Sequence, residues 1–188
     1  MRPLRRDVDL DAFDQHDLNE GMPSIDVSQF DYVLLLDIIE HLNRPEQFVR
    51  QLRDAMKFSP NMKIIVTTGN VAFIITWLML LLGQFNYGKR GILDMTHTRL
   101  FTFGSLRALF EQGGFRIIET YGVPAPLPLA LGDGRLARML QRLNRLLIRI
   151  SKGLFSYQVF MVMQLYPTPE YLLRTAQTDS AVRDGQSE

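Results

Sequence analysis

The run Phe30-Asp-Tyr-Val-Leu-Leu-Leu-Asp-Ile-Ile-Glu-His41 constrains the fold of this chain more than any other stretch. A continuous apolar segment such as Tyr32 to Leu36 is what a strand covered on both faces of a parallel sheet requires. It ends in an acid, Asp37, with Glu40 and His41 one turn beyond. In open α/β sheets, ligands bind just past the carboxyl ends of such strands. These three polar side chains therefore stand where a site is expected. Spaced i, i+3 and i+4, they share one face of any helix that starts near Asp37. The plainer reading has Asp37 capping that helix, with Glu40 and His41 solvated.

The flanking pattern extends the same architecture. Pro45 to Met56 reads as a helix, with Phe48, Leu52 and Ala55 on one face and Pro45 in the first turn. Ser59-Pro60-Asn61 breaks it before an apolar strand at Lys63 to Thr68. Phe103 to Gln112 is a further helix, closed by Gly113-Gly114, and Arg116 to Thr120 and Tyr157 to Leu165 read as the last two strands. Strand, helix and strand in alternation predict right-handed crossovers and an α/β fold.

At this point a family resemblance emerges. Phe30-Asp31 opening an apolar strand, then Asp37-x-x-Glu40-His41-Leu42 and Pro45, resembles the fourth conserved block of class I S-adenosylmethionine-dependent methyltransferases. The likeness is nearest to the small-molecule group that includes the ubiquinone-pathway O-methyltransferases. Gln15-His16-Asp17-Leu18 is similar to that family's third strand and the acid after it. Lys63 to Thr68 is similar to the fifth strand. His97-Thr-Arg-Leu-Phe-Thr-Phe103, with Leu106, Leu109 and Gly113-Gly114-Phe115, resembles the last helix and the entry to the sixth strand. The resemblance spans residues 13 to 165.

It implies a Rossmann-like, doubly wound sheet of order 3-2-1-4-5-7-6 with an antiparallel last strand, and S-adenosylmethionine as cofactor. By position it makes Asp17 the acceptor for the adenine amino group, sets the Leu18 backbone beside the ring, and brings Asp37 near the sulfonium. One family element has no counterpart, the glycine-rich loop after the first strand, because no glycine precedes Gln15. The acid closing strand two is also missing, since Asp9 and Asp11 lie too close to Asp17 to leave room for a helix between strands. The expectation is the C-terminal two-thirds of a methyltransferase domain, without strands one and two, at 13–166. It carries an apolar insert at 71–90, follows a disordered lead at 1–12 and precedes a disordered tail at 167–188. The strand around Leu34 then exposes an edge. Either an upstream part of a longer polypeptide belongs beside it or the chain is a decayed or mis-started reading frame, with strand addition from a partner as a third option.

Methyl transfer to a hydroxyl or amine needs alignment and a base, and imidazole suits that role near neutral pH. His41 is the preferred base, with His97 as alternative base or substrate contact, while His16 reads as structural. Glu40, Trp77 and Tyr87 are assigned to the substrate. Asp37, Glu40 and His41 could also ligate a metal; the preferred assignment uses none.

Composition narrows the partners. Net charge is +1, from 21 basic and 20 acidic residues, which offers no global attraction to nucleic acid. No cysteine is present, which excludes disulfides and thiolate chemistry and suits the cytoplasm. The basic N-terminus lacks the apolar core of a signal peptide. Val71 to Leu82 is apolar nearly all round yet too short to span a bilayer. Arg135 to Phe155 interleaves leucines at helical spacing with five arginines and Lys152, without an acid. Such a helix reads as a membrane-surface or partner-binding element, or as a helix that covers the sheet with a solvated basic back. Tyr121 to Leu129, rich in proline, reads as a loop over the site. These apolar features point to a small, hydrophobic or lipid-linked acceptor. The competing reading is a catalytically inactive module that binds a partner or membrane. A nicotinamide-binding domain is disfavoured, because no Gly-x-Gly-x-x-Gly follows a strand.

Overall fold

The structure, a computed structural model, describes residues 11, 13–23, 25–127, 132 and 134–184. Four strands form one sheet: β1 (Tyr32–Leu36), β2 (Lys63–Gly69), β3 (Phe115–Val123) and β4 (Gln158–Leu165). Their order is β1-β2-β4-β3. β1 and β2 run parallel, with Leu34 opposite Ile65, and β4 is antiparallel to both β2 and β3. That order is the 4-5-7-6 portion of the sheet implied by the resemblance, antiparallel last strand included. A bulge between Ile117 and Glu119 in β3 absorbs one residue of register.

Alternation in β2 and β4 decides which face is buried. Ile64, Val66, Val159, Met161, Met163 and Leu165 point to one side and are at most 1% exposed. Helices α1 (Pro45–Ala55) and α3 (Phe103–Gln112) cover that side with Phe48, Val49, Leu52, Leu106 and Phe110, all in the same core cluster. Pro45 begins α1 at a position where its missing N–H costs nothing. A reciprocal cap between Thr102 and Ser105 starts α3. On the opposite side, Tyr32, Leu34 and Leu36 of β1 and Tyr121 of β3 are more than half exposed. Among the described residues, β1 is an unpaired edge.

Beyond β2, helix α2 (Ile74–Leu81) carries the apolar insert, and Trp77, Leu80, Leu81 and Leu82 remain half or more exposed. The basic segment forms α4 (Arg135–Ile150) and the one-turn α5 (Lys152–Phe155). They are separated at Ser151, whose backbone is extended (φ −146°, ψ 98°). The expected single helix is thus two. Asn144 ties them to the body: its Oδ1 accepts the Ala125 N–H and its amide donates to the Phe155 carbonyl. No helix among the described residues is long and apolar enough to cross a membrane.

Three local expectations change. Gln15 to Leu18 does not form a strand; Asp17 Oδ1 accepts the Asn19 N–H at 2.9 Å and folds the chain into a turn. A strand requires a ladder partner, and among the described residues none lies beside this segment. The tail expected to be disordered is helical over α6 (Pro169–Asp184). Thr168 Oγ1 accepts the Tyr171 N–H, and Lys57 pairs with Glu170 across a 3.6 Å gap. The loop expected from Tyr121 begins later, because β3 continues to Val123; Leu129 lies outside the described residues.

Candidate functional site

At the carboxyl end of β1 the chain turns sharply. Asp37 has φ +52°, the left-handed region that asparagine and aspartate tolerate better than other side chains. Neighbouring strands hold it there. The Asp37 N–H donates to the Thr67 carbonyl at 3.1 Å, and its carboxylate accepts from Thr67 Oγ1 and, through both oxygens, from Gln158 Nε2 at 3.2 Å. Asp37 therefore precedes the short 3-10 turn Ile39–His41 rather than starting a helix. Glu40 and His41 do not share a helical face with it, yet all three line one cavity.

That cavity, of ≈ 280 Å³, is bounded by Asp37, Glu40, His41, Asp94, His97 and Tyr157, among others. Glu40 is 2% exposed, and its Oε2 has no hydrogen-bond partner. Burial, reinforced by the charge of Asp37, pushes its pKa upward, against its own backbone N–H and the charge of His97. Burial, reinforced by the negative charge of Asp37, raises the Tyr157 phenol. The Thr96 N–H and hydroxyl lower the exposed Asp94 carboxyl.

Backbone stapling brings the second histidine across. The Glu40 carbonyl accepts from the Thr98 and Arg99 N–H groups at 2.9 and 3.1 Å, which docks the segment at 97–99 against the β1 turn. The rings of His41 and His97 meet edge to face with centroids 4.8 Å apart. His41 Nδ1 bonds the Thr96 carbonyl at 3.1 Å, and His97 Nδ1 bonds the Ile92 carbonyl at 2.9 Å. A carbonyl only accepts, so each neutral ring carries its hydrogen on Nδ1 and keeps the Nε2 lone pair free. Glu40, His41 and His97 are also a set that could hold a metal ion, with one ligand atom from each within 4.8 Å of the others.

Other expected residues lie apart. Leu18 lines a separate cavity of ≈ 390 Å³ with Asn19, Asn43, Arg44 and Gln47, whereas Asp17 lines neither cavity and its Oδ1 accepts from the Asn19 N–H and side-chain amide. Trp77 and Tyr87 are 54% and 46% exposed and line neither cavity. Instead an apolar groove of ≈ 270 Å³, containing Phe73, Ile75, Met79 and Leu93, adjoins the histidine cavity through Arg90, Gly91, Ile92 and Tyr157. Sequence reasoning missed Thr67, Gln158 and Tyr157. Only the sheet pairing brings them to Asp37, and Gln158 lies 121 residues away. No local pattern marks them.

The residues present fit one side of an S-adenosylmethionine site. The Asp37 carboxylate at the carboxyl end of β1 would suit the sulfonium cation.

Comparison with known proteins bears on the family and the fold. The family model described as a methyltransferase domain matches residues 4–120, more than half of the chain. No curated protein matches in sequence. Among solved structures, the chain is similar to a SAM-dependent methyltransferase from Thermotoga maritima, with 15% identity and a TM-score of 0.52 over 79% of this chain and 61% of that one. It is also similar to a SAM-dependent methyltransferase from Archaeoglobus fulgidus (18% identity, TM-score 0.49, 81% and 66% of the two chains). A third, from Mesorhizobium loti, gives 13% identity and a TM-score of 0.47, over 80% and 68%. The chain spans less than two thirds of the length of the first two. At such identities the Thermotoga match shows the fold alone. Together with the family match across β1, β2 and α3, that fold means the chain belongs to the methyltransferase-domain family.

Proposed function

We propose that this chain contributes to S-adenosylmethionine-dependent methyl transfer onto a hydroxyl or amine of a small, apolar acceptor. The observation that carries this reading is the pair of imidazoles, each with a free Nε2, in a cavity that adjoins an apolar groove. S-adenosylmethionine supplies an electrophilic methyl group that departs from a sulfonium. Asp37, fixed by Thr67 and Gln158, provides the negative charge that favours the sulfonium, and Asp17 and Leu18 serve the adenine end. The acceptor's apolar part occupies the groove at Phe73 and Met79, with Trp77 and Tyr87 at its outer rim. His41 Nε2 takes the proton from the acceptor, and the Asp94 carboxylate stabilises the resulting imidazolium. His97 orients the acceptor beside it.

The experiment is calorimetric titration of S-adenosylhomocysteine into the 188-residue chain and into a version extended into upstream coding sequence, each with Asp37→Ala and Asp17→Ala variants. The reading expects binding by at least the extended form, weakened by both substitutions. In a binding-competent form, His41→Gln should leave binding intact and slow transfer by about a hundredfold or more. Silence from both forms sinks the enzyme reading and favours an inactive module.

The buried, unpartnered Glu40 Oε2 beside two imidazoles favours a second reading, in which Glu40, His41 and His97 ligate a divalent metal. One carboxylate and two imidazoles make a donor set suited to zinc or manganese. A metal there would polarise the acceptor oxygen, and His41 would no longer be the base. Titration with zinc and manganese after chelation separates the two: metal binding abolished by Glu40→Ala or His97→Ala supports the second.

A further inference from the structure

Helix α4 has three faces, and among the described residues only one packs against the body of the protein. Ala137 is 1% exposed, Leu140, Asn144, Leu147 and Ile148 are partly buried, and Asn144 bonds to Ala125 and Phe155. These residues recur at helical spacing and form the docked face. Leu136, Met139, Leu143, Leu146 and Ile150 form a second apolar stripe, rotated away from the first, and are 48–78% exposed. Arg135, Arg138, Arg142, Arg145 and Arg149 form a third stripe, all exposed, and no acid occurs between residues 135 and 155. A helix that merely covers a sheet needs one apolar face. Here a second runs the length of the helix with a row of guanidinium groups beside it.

We infer that α4 lies on an anionic lipid surface, with the Leu136-to-Ile150 stripe in the acyl boundary and the arginine row at the phosphates. An apolar stripe at helical spacing flanked by cations is the form that suits a bilayer interface, where buried apolar area and attraction to anionic headgroups add. Charge complementarity selects the occupant. An acidic protein would satisfy the arginines but leave the apolar row unexplained, and a second copy of this helix would set arginine rows near one another. This surface stands independently of the methyl-transfer reading and of any cofactor.

The test is flotation of the full chain with vesicles of phosphatidylcholine containing 30% phosphatidylglycerol, and with phosphatidylcholine alone, at about 0.15 M salt. The chain is expected to float with the first and to stay in the soluble fraction with the second. R138Q/R142Q/R145Q should weaken binding by about a hundredfold, a factor of about five per arginine. M139Q/L143Q/L146Q should weaken it as strongly while all arginines remain, with unchanged far-ultraviolet circular dichroism for both. A chain that stays soluble with anionic vesicles overturns the inference, as does flotation unaffected by either triple variant. So does light scattering that finds a dimer disrupted by M139Q/L143Q/L146Q, because the stripe is then covered by a second copy.

Discussion

Glu40 shows how a single side chain departs from what its position in the sequence suggests. Its carboxyl is buried, so the neutral form is favoured in the folded state, while in the unfolded chain it titrates near the ordinary value of 4.5. Below that value Glu40 is protonated in both states and costs nothing. As pH rises through the higher folded value, ionisation draws the equilibrium toward the unfolded chain. Glu40→Gln is therefore expected to raise the denaturation midpoint at pH 7.5, with a difference from the parent that closes by about pH 4, in metal-free buffer. Equal midpoints at pH 7.5 would contradict it. The acid–x–x–Glu–His spacing was legible in the sequence, but the burial of Glu40 and the left-handed turn at Asp37 were not. The turn is held by Thr67 of β2 and Gln158 of β4, which follow later in the chain.

The elements were the most legible level. The periods of α1, α3, β2 and β4 follow from apolar spacing, since each buries a single face. Termini and breaks depended on contacts beyond that spacing. Ser151 divides α4 from α5, and Asn144 then bridges the two. This one amide satisfies the N–H of the buried Ala125 and the carbonyl of Phe155. Asn144→Leu is expected to cost about 2–4 kcal/mol, because two backbone groups lose their partner. Denaturant unfolding measures that cost, and faster amide exchange at Ala125 would localise it. A loss below about 0.5 kcal/mol would mean that water replaces the amide. The helix α6 escaped the sequence because its polar composition resembles a tail; Thr168 and the Lys57–Glu170 pair dock its start on the body.

At the scale of the whole molecule, the sheet offers one covered face and one open face, and β1 is an edge among the described residues. Exposed apolar edges pair with other chains. Leu34→Lys, at a site 54% exposed, is expected to change stability by no more than about 0.5 kcal/mol. It should reduce concentration-dependent light scattering; unchanged scattering would place self-association elsewhere. The sequence by itself determined the α/β class, the periodic faces of the strands and helices, and the acid–x–x–Glu–His turn, because these depend on spacing along the backbone. Only the tertiary structure decided that His41 and His97 meet, that Gln158 clamps Asp37, and that Leu18 and Asp37 line different cavities. Those contacts join residues tens to more than a hundred positions apart, and the parallel and antiparallel pairing of the sheet, which no local pattern encodes, brings them together.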